Sequence, residues 1–195
     1  MGHILYLPLS ARDLKPTEEE RAARLRVPIG YRDASVEEAE AELLAVIRPA
    51  MCAVRVQILR EENGDLCLGT IRMQSEALKK NLTGCTEAFL FAVTLGMECE
   101  RWLHRLALLS PAKHFLADAL SSAYAEAAAE LANEILAKGL SLTRRFSPGY
   151  GDLSLSLQKD LISTTEANKY LHIELQDSLL MVPQKSITAI VGILS

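Results

Sequence analysis

The chain predicts an α+β fold, an antiparallel or mixed twisted sheet with helices packed on it, in a single domain spanning residues 1–195. Three observations lead there. Helical and strand-like segments do not alternate strictly. The dipeptide Asn63-Gly64, a strong hairpin signal, separates two strand-like segments. One continuous apolar run, residues 88–95, lies between Gly84 and Gly96 and has the length of a buried central strand.

Residues 4–7 are apolar and read as a strand, and Thr17-Glu18-Glu19-Glu20 supplies a capping box for a short helix. A second box, Ser35-Val36-Glu37-Glu38, opens a clearer helix. Its apolar positions Val36, Ala39, Leu43, Val46 and Ile47 recur every three or four residues, and Pro49 stops it. From Met51 the period falls to two, with Val54, Val56 and Ile58 alternating against Arg55 and Gln57 as in a half-buried strand. Asn63-Gly64 then turns the chain, and residues 66–73 return as the second strand.

Beyond the buried strand, residues 97–108 read as a helix, and the longest helix follows Pro111 over residues 116–138, closed by Gly139. Its alanine content allows neighbours to pack closely. Residues 144–152 then form a loop by composition, and a short helix over 155–162 and strands over 173–175, 179–181 and 187–193 complete the chain. There is no internal repeat or linker.

Composition narrows the function. The net charge is −4 and the 21 Lys and Arg are scattered, which argues against nucleic acid as a partner. No apolar run approaches the ~20 residues of a membrane span, and the first ten residues lack a signal-type pattern, so a cytoplasmic protein is expected. Cys52, Cys67, Cys85 and Cys99 are widely spaced and read as buried reduced thiols rather than metal ligands. The four histidines are equally dispersed, and no metal site is expected.

The loop Arg144-Arg145-Phe146-Ser147-Pro148-Gly149-Tyr150-Gly151-Asp152 carries the chemistry. Gly149 and Gly151 let backbone approach a small molecule, and Pro148 restricts the loop. Arg145 offers a planar fork of donors suited to a carboxylate, and Tyr150 an aromatic face with a polar tip. Together they suit an amino acid-like ligand. Taken alone, the same pattern also describes a surface arginine and a turn packed on the core.

The stretch from Arg145 to Asp152, with Leu155 and Gln158 following, resembles the S-adenosylmethionine-binding signature of the activation domain of cobalamin-dependent methionine synthase. Downstream, Asp177 to Gly192 resembles that family's methionine and proline before a strand. Upstream, Ala92-Val93-Thr94-Leu95-Gly96 resembles its strand end, Leu116 through Glu126 its long helix, and Gly30-Tyr31 its small stand-alone members.

The resemblance implies a stand-alone activation domain that binds S-adenosylmethionine for reductive remethylation of cob(II)alamin. Arg145 would contact the methionyl carboxylate, and backbone near Ser147 and Gly149 would line the adenosyl site. Tyr150 would face the cobalamin. Glu126 would pair with Arg145 or bind nearby, although a solvated helix charge accounts for it equally. Met181 and Pro183 would lie near the corrin.

The chain lacks the family's Asp-x-His-x-x-Gly lower-ligand motif, so cobalamin would be carried by a corrinoid-binding methionine synthase subunit, with a flavodoxin or ferredoxin-type electron donor. The family's acidic residue from an N-terminal segment and its C-terminal tyrosines have no counterparts here. Two other roles fit the same resemblance: a reactivation factor for another corrinoid methyltransferase, and a non-catalytic S-adenosylmethionine-binding scaffold. A Rossmann-type methyltransferase is disfavoured because no strand leads into a Gly-x-Gly turn.

Overall fold

The computed structural model describes residues 2–62 and 64–194. In chain order the strands are β1 (Leu5–Pro8), β2 (Ala50–Arg60), β3 (Leu66–Leu68), β4 (Ile71–Met73), β5 (Cys85–Thr94), β6 (Ser141–Leu142), β7 (Glu174–Leu175), β8 (Met181–Val182) and β9 (Ser186–Leu194). The helices are α1 (Glu18–Leu25), α2 (Ala34–Val46), α3 (Glu76–Asn81), α4 (Met97–Leu109), α5 (Pro111–Leu136), α6 (Gln158–Thr164) and α7 (Ala167–Tyr170).

The architecture is α+β. A seven-stranded sheet runs β4-β3-β2-β5-β9-β6, with β1 also on β2, and a separate hairpin pairs β7 with β8. Each of these pairings is antiparallel. The free edge of the long β2 is shared: β1 pairs with residues 50–53 and β3 with residues 58–60.

The apolar run lies in β5 up to Thr94, at the centre of the sheet where both faces are covered, with Leu95 just past the strand end. On one face Phe91 and Val93, with Met51, Ala53, Ala189 and Val191, pack against Leu43, Leu103, Leu120 and Ala128 of α2, α4 and α5. On the other, Ala88, Leu90, Val54, Val56 and Ile190 pack against Leu78, Leu157 and Leu161. A third cluster joins Ala50, Cys52 and Ala92 to Ile162, Ala167 and Leu171. Full burial of side chains such as Phe91 or Leu120 contributes about 1.5–3 kcal/mol each, so the two-faced core stabilises the sheet more than any local signal does.

Several boundaries differ from the sequence expectation. Thr17 caps α1 through Glu20 N as expected, but Asp33 rather than Ser35 caps α2. Residues 66–73 form two short strands instead of one, because the chain turns at Gly69, whose φ is 62° and where a Cβ would come within 3.2 Å of Val56. Helix α5 begins at Pro111, not 116, since the first helical position needs no N–H donor, and it ends at Leu136 rather than 138. Gly64 takes the positive φ (88°) of a turn residue, while its partner Asn63 in the hairpin signal lies outside the described residues.

Candidate functional site

Glu126, Glu130 and Asn133 follow one another at spacings of four and three on α5 and so share one face of the helix. The chain leaves α5, turns at Gly139, and returns beside β9 as β6. Leu142 pairs with Ile193, and further on Phe146 pairs with Ile190 through hydrogen bonds of 2.9 and 2.8 Å. From Leu142 to Phe146 is four residue steps, against three from Ile193 to Ile190, so the loop side carries one extra residue, a bulge.

The bulge reverses the alternation of side chains. Residues four apart on a regular strand share a face. Here Leu142 packs with the α5-side core and Phe146 with the opposite core. Arg145, next to Phe146, therefore points at α5. Its Nη2 donates to Glu126 Oε2 at 3.1 Å, and its Nε lies 3.7 Å from Glu130 Oε2. The other oxygen of Glu126 is 3.7 Å from Arg24 of α1, which in turn holds Glu20 at 2.6 Å.

After Phe146, Ser147-Pro148-Gly149-Tyr150 forms a turn closed by Tyr150 N donating to Ser147 O at 3.0 Å. Proline presets the first central position, and Gly149, with φ 89°, occupies the second, which requires positive φ. The Tyr150 ring meets Phe146 edge-on at 6.1 Å. At Gly151 a Cβ would lie 2.9 Å from Ala77 Cβ, so the loop rests directly on α3.

The Asp152 carboxylate fastens this contact. It accepts from Ser75 Oγ, from Glu76 N at 2.7 Å and from Ala77 N at 3.2 Å. The hydrogen bond from Ser75, then that from Glu76, hold its carboxyl below the ordinary carboxylate range.

Between loop and helix lies a cavity of about 430 Å³ whose walls include Arg145, Ser147, Tyr150, Glu130, Asn133 and Leu142. The volume falls within the roughly 300–1,000 Å³ typical of small-molecule sites. A second hollow of about 500 Å³ adjoins it across Arg144, Arg145 and Tyr150. The Arg145–Glu126 pair is part-exposed, and such pairs are worth only about 1 kcal/mol or less. An external carboxylate can therefore replace Glu126 on the guanidinium at small cost.

Of the residues singled out in the sequence, Arg145, Ser147 and Tyr150 line this cavity, Gly149 shapes its turn, and Glu126 pairs with Arg145. Met181 and Pro183 do not line it. Met181, in β8, packs against the third core cluster, and Pro183 is buried, its carbonyl accepting from Ser186 Oγ at 2.7 Å. Sequence reasoning missed Glu130 and Asn133, which the helical spacing from Glu126 could have indicated. It also missed Arg24, for which no local signal exists.

All four cysteines are free and buried. Among the described residues no helix is long and apolar enough to cross a membrane, and no group of three or more His, Cys, Asp or Glu side chains could hold a metal ion.

In sequence, no protein-family model and no curated protein matches the chain. In structure, the chain is similar to the MetH reactivation domain bound to AdoHcy, with a TM-score of 0.73 and 14% identity over 97% of this chain and 78% of that one. At that identity the likeness is one of fold: this chain folds as the MetH reactivation domain does.

Proposed function

We propose that residues 1–195 form one activation-domain-like domain that binds S-adenosylmethionine in the cavity beside Arg145 and serves the remethylation of cobalamin held by a corrinoid-binding methionine synthase subunit. The observation that carries this reading is a coincidence of fold and loop. The loop that resembles the family's binding signature walls a ligand-sized cavity, in a chain that shares its fold with a domain solved with AdoHcy, the demethylated analogue of S-adenosylmethionine.

In this reading Arg145 exchanges Glu126 for the methionyl carboxylate, and the rigid Ser147–Tyr150 turn bounds the adenosyl group. Tyr150, 55% exposed at the rim, offers its aromatic face to the corrin. When bound, S-adenosylmethionine would supply the methyl group from its sulfonium and leave as S-adenosylhomocysteine, and a corrinoid on the partner, given one electron by a flavodoxin or ferredoxin-type donor, would accept it. The residues of this chain contribute by positioning, which needs no general acid or base.

The test is calorimetric titration of S-adenosylmethionine into the unmodified protein and into Arg145→Ala. Loss of a charge-assisted contact weakens binding by about 1.5–3 kcal/mol, roughly ten- to a hundredfold. Absence of binding to the unmodified protein, or equal binding by both, would overturn the proposal.

A further inference from the structure

Glu20, Arg24, Glu126, Arg145 and Glu130 form a row of alternating charges that runs from α1 across α5 to the loop. Glu126 stands at its centre between two guanidinium groups, with Oε2 3.1 Å from Arg145 and Oε1 3.7 Å from Arg24. The binding arginine is thus covered by an internal carboxylate. A ligand carboxylate that takes the Nη2 donor of Arg145 displaces Glu126, and a second cation close by favours that exchange by neutralising the displaced charge.

We infer that Arg24 is that counter-ion, a positioning residue that receives Glu126 when a ligand carboxylate takes Arg145. This deepens the S-adenosylmethionine reading above and rests on it. The argument is one of competition. With Arg24 present, Glu126 is neutralised whether or not it touches Arg145, so opening the internal pair leaves no carboxylate uncompensated. Without Arg24, Glu126 has Arg145 as its remaining close cation and holds it against the ligand.

Arg24 is well placed for the exchange. It projects from α1, which packs on α5, and it is half-exposed, so its side chain can follow a shift of Glu126 by an ångström or so. Its pair with Glu20, four residues earlier on the same helix, holds it over α5 meanwhile. The fork of a guanidinium can serve Glu20 and Glu126 together, whereas a neutral side chain neutralises neither.

The experiment is titration of S-adenosylmethionine at low ionic strength into the unmodified protein and into Arg24→Gln, Arg24→Lys, Glu126→Gln and the Arg24→Gln/Glu126→Gln double variant. Unfolding curves confirm that each is folded. The expected results are a roughly two- to fivefold loss of affinity in Arg24→Gln, the size set by a part-exposed ion pair, and recovery in Arg24→Lys. The double variant should bind as Glu126→Gln does, because without the Glu126 charge there is nothing for Arg24 to receive.

Unchanged affinity in Arg24→Gln overturns the assignment. An equal loss from Arg24→Gln with and without the Glu126 charge also overturns it, since Arg24 would then act as a general positive field. Abolished binding in Glu126→Gln overturns it by making Glu126 a ligand contact rather than a competitor. Failure of the unmodified protein to bind is a different result: it removes the S-adenosylmethionine reading, and this inference with it.

Discussion

The carboxylate of Asp152 accepts the backbone N–H of Glu76 at 2.7 Å, tying the end of the binding loop to the first turn of a helix 76 residues away in sequence. Because the folded state holds this carboxyl below its ordinary pKa, protonation favours the unfolded chain. The contact's contribution is complete above the ordinary aspartate pKa of about 3.9 and is lost as pH falls through the lower folded value. Asp152→Ala should therefore melt below the unmodified protein at pH 7, and the two melting curves should converge as the pH is taken down toward 3. A gap that persists unchanged in acid would show that the carboxylate charge is not what secures the loop.

Two glycines in the loop should differ in sensitivity. Gly149→Ala meets only Leu155 Cδ1, at 3.4 Å, and its cost is that of a positive φ, about 1–2 kcal/mol. Gly151→Ala has that cost and also drives a Cβ to 2.9 Å from Ala77, so overpacking adds about 1–3 kcal/mol. Urea unfolding at constant m-value should rank Gly151→Ala as the more destabilised; the reverse order would contradict the close seat of the loop on α3.

Burial pushes the Cys52 and Cys99 thiols up to about 11, and both side chains are fully enclosed. The thiolate is the reactive form. Iodoacetamide at pH 8 should leave these two unlabelled in the native protein and modify them promptly in denaturant, as read by peptide mass spectrometry. Rapid native labelling of either would mean that the sheet opens far more often than its packing implies.

What could be read from the sequence was what is encoded locally. The Thr17 cap, helix α4 and the β5 run each declare themselves within a dozen residues. Helices α3 and α7 span six and four residues, too few to establish a period, and were missed. The site divided in the same way. Arg145 and Tyr150 stand in a loop whose glycines and proline mark it, but Arg24 reaches Glu126 only because α1 packs on α5, a tertiary fact with no trace in the neighbouring residues. The split of residues 66–73 was hidden for a similar reason, since the turn at Gly69 is set by its seat against Val56 in another strand.

Arg144 and Arg145 are neighbours of identical chemistry, yet one extra backbone residue between Leu142 and Phe146 makes them unequal. Counted out from Leu142 in simple alternation, Arg145 would turn away from the acidic helix; in the observed chain it reaches Glu126 and Glu130. The tandem is thus a choice made by the backbone rather than by the side chains. Comparing such loops by residue type alone would treat the two arginines as interchangeable, but although both border the cavity it is Arg145 that meets Glu126 and Glu130.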